Sequence, residues 1–132
     1  MKLSLIICIT TIYLTQSKEI PPSIVSSWNK LVQPFVETCI EEESVDAEIA
    51  RNVFSKNFIP KEEHIRCYFK CIDSKLGFLL PGGKFNKELM INKIEHFTPK
   101  IADKCLQMLP DDDDCLKSHK LAICIVEQSL VN

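Results

Sequence analysis

Six cysteines beyond the N-terminal leader, Cys39, Cys67, Cys71, Cys105, Cys115 and Cys124, constrain this chain more than any other feature. An even set of thiols in a short exported chain reads as a disulfide framework, which fixes the segments that must lie side by side. Export is read from the first residues. Met1-Lys2 gives a short positive start, Leu3 to Leu14 an apolar run, and Thr15-Gln16-Ser17 the small residues of a cleavage site. The run is too short to span a membrane. Residues 1–17 are therefore read as a signal peptide that carries away the seventh cysteine, Cys8. Residues 18–132 are read as one domain, secreted and extracellular, with no stable membrane insertion. A domain of 115 residues buries a modest share of its surface and gains from covalent help. Zinc is the rival reading of the cysteines. Zinc ligands usually come in pairs two residues apart, whereas the closest pair here, Cys67 and Cys71, has three residues between. No metal or other cofactor is expected.

The chain reads as helices throughout. Pro21-Pro22 opens a stretch in which Ile24, Trp28, Leu31 and Phe35 recur at helical spacing, with Pro34 expected to kink or interrupt it. A shorter helix is expected from about Val45 to Phe54, capped by Ser44. The third starts near Pro60, with Glu62 and Glu63 in its first turn. It carries Ile65, Tyr68, Phe69, Ile72 and Leu76 on one stripe, and Gly77 stops it. Asn86 can cap a fourth helix holding Met90, Ile94 and Phe97. Thr98-Pro99 starts a fifth, and Asp111 to Asp114 leads into a sixth that ends near Val126. Strand signals are nearly absent: there is no long alternation, no Asn-Gly or Asp-Gly turn, and only three glycines.

Helix geometry narrows the fifteen ways of pairing six cysteines. Cys67 and Cys71 lie one turn apart on one helix face and cannot readily bond each other. Cys115 and Cys124, if on one helix, are separated by about 13 Å and point to opposite sides. Each exclusion removes three pairings and one is shared, so ten remain. In any of them the third helix reaches two partners. Each closed loop stabilises by roughly 3–4 kcal/mol on the chain-entropy model. Walls held by sulfur can tolerate an internal cavity that otherwise costs roughly 24 cal/mol per Å³.

The spacing Cys39-x27-Cys67-x3-Cys71-x33-Cys105-x9-Cys115-x8-Cys124 resembles that of the insect odorant-binding and pheromone-binding family. So do the phrase Cys67-Tyr68-Phe69-Lys70-Cys71 and the later Gly77-Phe78 and Gly83-Lys84-Phe85-Asn86. The resemblance covers essentially the whole mature chain. It implies an all-α fold, a compact array of about six helices around an apolar cavity. The three interlocked disulfides it implies are Cys39–Cys71, Cys67–Cys115 and Cys105–Cys124. It also implies carriage of a small apolar ligand, with a chemosensory receptor as a further candidate partner. Only eight residues follow Cys124, so the long pocket-filling tail of moth pheromone carriers is missing. Leu130-Val131 is left as a small lid at most.

Large apolar side chains are the candidates for lining such a cavity: Phe54, Phe58, Phe69, Leu76, Phe78 and Leu80, then Met90, Ile94, Phe97, Met108 and Leu121, with Tyr68 as a polar anchor. For each of them, ordinary core is the competing reading. Thioethers such as Met90 and Met108 adapt to varied ligands. His64, His96 and His119 are read as surface residues, with a pH-sensing role as the alternative. Asp111 to Asp114 is read as a solvated, dipole-matched helix start, since a calcium loop spaces its ligands at alternate positions. The net charge moves from −2 to −3 once Lys2 leaves with the signal, and there is no basic cluster, so nucleic acid is not expected as a partner. No nucleophile elbow, metalloprotease helix or phosphate loop occurs, and an enzyme is not expected. Two other helical classes compete. A saposin-like module would open on cysteines two residues apart. A secreted signalling or venom-type polypeptide would act on a receptor through exposed residues rather than a cavity.

Overall fold

The computed structural model describes residues 17–131. The signal peptide expected over residues 1–17, with Cys8, lies outside the described residues except for Ser17. Six α-helices are formed among the described residues: α1 (Pro22–Glu43), α2 (Ala47–Arg51), α3 (Arg66–Lys75), α4 (Lys87–Lys93), α5 (Pro99–Gln107) and α6 (Asp114–Ser129). A single 3₁₀ turn, Glu63–Ile65, leads into α3. Extended pairing among these residues amounts to two isolated bridges, Glu19–Val131 and Leu79–Phe85. No described helix is long and apolar enough to cross a membrane.

Most helix boundaries follow from capping chemistry. Asn86, Thr98 and Asp113 each accept a hydrogen bond from the backbone N–H three residues on, at 3.1, 3.2 and 2.9 Å, satisfying a donor that the first turn leaves orphaned. The second helix departs from expectation. It is capped by Asp46, which accepts from Ile49 N at 3.0 Å, and ends at Arg51. Ser44 instead closes α1 in the left-handed conformation, φ 50°. Pro34 does not interrupt α1, whose 22 residues continue through it. Pro34 is exposed, and the buried Trp28, Val32 and Cys39 hold the helix on both sides of it. Gly77, at φ 77°, terminates α3 and lets the chain reverse, and the N–H groups of Phe78 and Leu79 both donate to the Asp73 carbonyl.

All three disulfides join the pairs implied by the resemblance. Cys39–Cys71 ties α1 to α3, Cys67–Cys115 ties α3 to α6, and Cys105–Cys124 ties α5 to α6. Helix α3 accordingly packs most extensively on α6 and next on α1. The sixth helix buries Ser118, His119, Leu121, Cys124, Val126 and Ser129, residues that cover more than half of its circumference. A helix buried on most sides is a central one. Its polar residues are largely satisfied at short range: Ser129 Oγ donates to Ile125 O at 2.7 Å, and His119 Nε2 donates to Pro60 O at 2.6 Å. His119 is thus a core residue stacked on Phe69, contrary to the surface reading, and burial holds its ring below the usual imidazole pKa. His64 and His96 are exposed, as expected.

Two apolar cores result. The first gathers Trp28, Val32, Ile65, Tyr68, Phe69 and Ile72 with Val126, and the second gathers Phe78, Met90, Phe97, Ala102 and Leu121. Leu76, Ile94 and Ile125 pack against both. Trp28 Nε1 donates to Glu95 O at 2.9 Å and so fastens α1 to the turn after α4. At the far end, Leu130 packs on the first core and Val131 exchanges both backbone hydrogen bonds with Glu19, each 2.9 Å, so the tail clasps the N-terminal segment.

The three loops closed by sulfur span 48, 32 and 19 residues. Replacing each cystine by two alanines is expected to lower stability by about 3–4 kcal/mol, with Cys67–Cys115 costing most and Cys105–Cys124 least. Urea unfolding of the three double variants checks the ranking, and the reverse order would contradict the loop-entropy account. A second expectation concerns Tyr68, which is 1% exposed and whose hydroxyl has no hydrogen-bond partner. Tyr68→Phe is expected to raise stability by about 1 kcal/mol in the same assay, because it removes an unsatisfied buried group.

Candidate functional site

Where the two cores meet they leave a cavity of about 60 Å³. Its walls come from four directions. Helix α1 supplies Trp28, Leu31 and Val32, and α3 with its C-cap supplies Phe69, Ile72, Asp73 and Leu76. Helix α6 supplies Leu121, Ala122, Ile125 and Val126. Phe54, Phe78, Met90 and Ile94 close the remaining sides. The periodicity of α3 explains why one stripe serves two purposes. Its cysteines bolt it to α1 and α6, while Phe69, Ile72 and Leu76, spaced by three and four, face the gap between those helices. Trp28 and Phe54 meet edge to face, with centroids 5.6 Å apart, and hold the rim on the α1–α2 side.

Seven of the residues proposed from sequence stand together here: Phe54, Phe69, Leu76, Phe78, Met90, Ile94 and Leu121. Five do not. Phe58, Leu80 and Met108 lie on the surface, Phe58 in a separate, more polar groove of about 840 Å³ with Ile49 and Pro60. Tyr68 is packed inside the first core and Phe97 inside the second, neither on the cavity wall. Tyr68 therefore does not sit where a polar anchor for a cavity ligand would be. Burial pushes its phenol up to about 12, with the Glu37 charge acting the same way.

Asp73 was not among those candidates, yet it lines the cavity and is the one wall side chain that can carry a charge. Asp73 is half-buried as a residue, and desolvation of its carboxyl pushes it from the ordinary carboxylate range up to about 7. Ser118 Oγ, itself fully buried and without a hydrogen bond of normal geometry, pulls it partway back. Asp73 also occupies the last turn of α3, where the negative end of the helix dipole disfavours a carboxylate. A sequence signal for it existed: Asp73 lies four residues after Phe69 and three before Leu76, inside the apolar stripe. Trp28, Leu31 and Ile72 were visible as helical stripe residues, but their place on this wall depends on how the helices cross.

A model of the PBP/GOBP family matches residues 24–128. Among solved structures, the chain is similar to odorant binding protein 5 of Apis mellifera, with a TM-score of 0.62 at 19% identity over 79% of this chain and 90% of that one. It is also similar to the fatty acid binding protein OBP56a from the oral disk of the blowfly Phormia regina, with a TM-score of 0.57 at 22% identity over 77% of this chain and 90% of that one. No curated protein sequence gives a significant match. At these identities the two structures speak to the fold, while the family model spans most of the chain. The chain belongs to the PBP/GOBP family, the insect odorant-binding proteins of the six-cysteine type.

Proposed function

We propose that this protein is a secreted carrier that holds a small, largely apolar molecule in the cavity between its two cores, and that it works by binding rather than by catalysis. The observation that carries this reading is a cavity walled almost entirely by carbon inside a fold whose helices are cross-linked by sulfur. Family membership supports carriage, and the blowfly relative is named for fatty acid binding. The leader read from sequence over residues 1–17 and the three cystines support an extracellular site of action.

The cavity of about 60 Å³ has room for a few water molecules, less than a ligand of a dozen heavy atoms needs. Occupancy therefore requires the lining to move. Met90 has three rotatable side-chain bonds, and Leu31, Phe54, Leu76 and Ile94 are only half-buried, so this rim is where widening meets least resistance. A ligand of about 15 heavy atoms gaining roughly 0.3–0.5 kcal/mol per atom binds in the micromolar range. Affinity then comes from burial and shape, which suits a carrier that must also release.

The fluorescent apolar probe N-phenyl-1-naphthylamine is expected to bind the disulfide-intact protein saturably at one site with micromolar affinity. Ala122→Phe fills the cavity from α6 and is expected to weaken the probe by at least about tenfold, at a cost in stability of roughly 1–3 kcal/mol. Met108→Ala, on the surface, is expected to leave affinity unchanged. Failure of the intact protein to bind would turn the reading towards a secreted ligand acting on a receptor through its surface. Equal loss in both variants would place binding outside this cavity.

A further inference from the structure

Asp73 is an acid on a wall of carbon, and the fold offers it no countercharge. Among the described residues no ion pair includes it. The groups packed around α3 are accounted for elsewhere. From α1 the cavity receives only Trp28, Leu31 and Val32. From α6, Lys117 donates to the Gly83 carbonyl and His119 to that of Pro60, which leaves Ser118 as the polar neighbour. Lys75, two residues on, pairs with Glu42. The 3₁₀ turn contributes Glu63, paired with Arg66, and the buried Ile65. The backbone of Asp73 is also pinned, since its carbonyl accepts from both Phe78 and Leu79 at 2.8 and 3.1 Å.

We propose that Asp73 is the polar anchor of the cavity and selects ligands that carry an uncharged carbonyl group, such as a ketone or ester, on an otherwise hydrocarbon body. This rests on the carrier reading and adds the ligand's chemistry to it. With its pKa near 7, the carboxyl is largely a neutral O–H donor in mildly acidic solution, and a carbonyl oxygen entering the cavity is an acceptor it can reach. A plain hydrocarbon leaves that donor without a partner on the cavity side. An ionised fatty acid brings a negative charge beside an acid, at the negative end of α3, with no cation to offset it. The sign of the pH effect follows. As pH rises through about 7 the donor becomes a carboxylate, and carbonyl binding weakens.

Competition of 2-decanone, decane and decanoate against N-phenyl-1-naphthylamine on the disulfide-intact protein tests this at about pH 6 and pH 8.5. The ketone is expected to bind about five- to tenfold more tightly than decane at the lower pH, the worth of one hydrogen bond, and more tightly than decanoate. That margin is expected to shrink severalfold at the higher pH. Asp73→Asn keeps an N–H donor that cannot ionise and is expected to retain the ketone margin at both pH values. Asp73→Leu is expected to bind probe and decane while losing the margin. Wild-type protein that binds the probe without preferring the ketone, or Asp73→Leu that still prefers it, overturns the anchor and leaves the carrier reading standing. A wild-type protein that binds no probe at either pH overturns both.

Discussion

Two cystines on one short helix organise this molecule. Cys67 and Cys71 sit one turn apart on α3, so bonds from them must leave towards different neighbours, and they reach α6 and α1. A ten-residue helix has little packing area of its own and would form only marginally in isolation. Bolted on two sides it becomes the wall on which the rest is assembled. The third cystine extends the same logic from α6 to α5, and the second core gathers around it.

Magnitudes show why such a framework suits a hollow interior. A void of about 60 Å³ costs roughly 1.5 kcal/mol at the rate measured for cavities in protein cores. Any one of the three cystines offsets that by itself, at about 3–4 kcal/mol. The walls therefore need no densely filled centre, and side chains at the junction are free to rearrange around a guest. Local bonds carry the remaining strain points: the Asp46, Asn86, Thr98 and Asp113 caps, the Trp28–Glu95 hydrogen bond, and the Glu19–Val131 clasp. Rigidity lives in the shell and adaptability at the seam between the cores.

The sequence was most informative where chemistry is local. The caps at Asn86 and Thr98, the stop at Gly77 and the apolar stripe of α3 could all be read directly, because each depends on residues a few positions apart. The second helix was misjudged because Ser44 and Asp46 are both good caps, and the end of α1 claimed Ser44 first. Helical spacing tells which residues face inward, but it does not say inward towards what. Phe97 and Tyr68 share the stripe pattern of Phe69 and Met90, yet helix crossings place the first two in solid core and the others on the cavity. His119 and Asp73 were the least visible, since polar residues on a helix default to solvent. For His119 the burial of α6 on most sides reverses that default, while Asp73 stays half-buried and is turned to the cavity wall only by the way the helices cross.

Apart from the initiator Met1, the chain has two methionines, one on the cavity wall and one on the surface: Met90, with no exposed area, and Met108, 54% exposed. Methyl-carbon-labelled methionine therefore gives the folded domain an internal reporter and an internal control. The most direct test is a nuclear magnetic resonance titration of these two methyl signals with 2-decanone on the disulfide-intact protein. The account predicts a saturable shift of the Met90 methyl and a stationary Met108 methyl. Binding that shifts Met108 and leaves Met90 unmoved would contradict it, because the ligand would then lie on the surface rather than between the two cores.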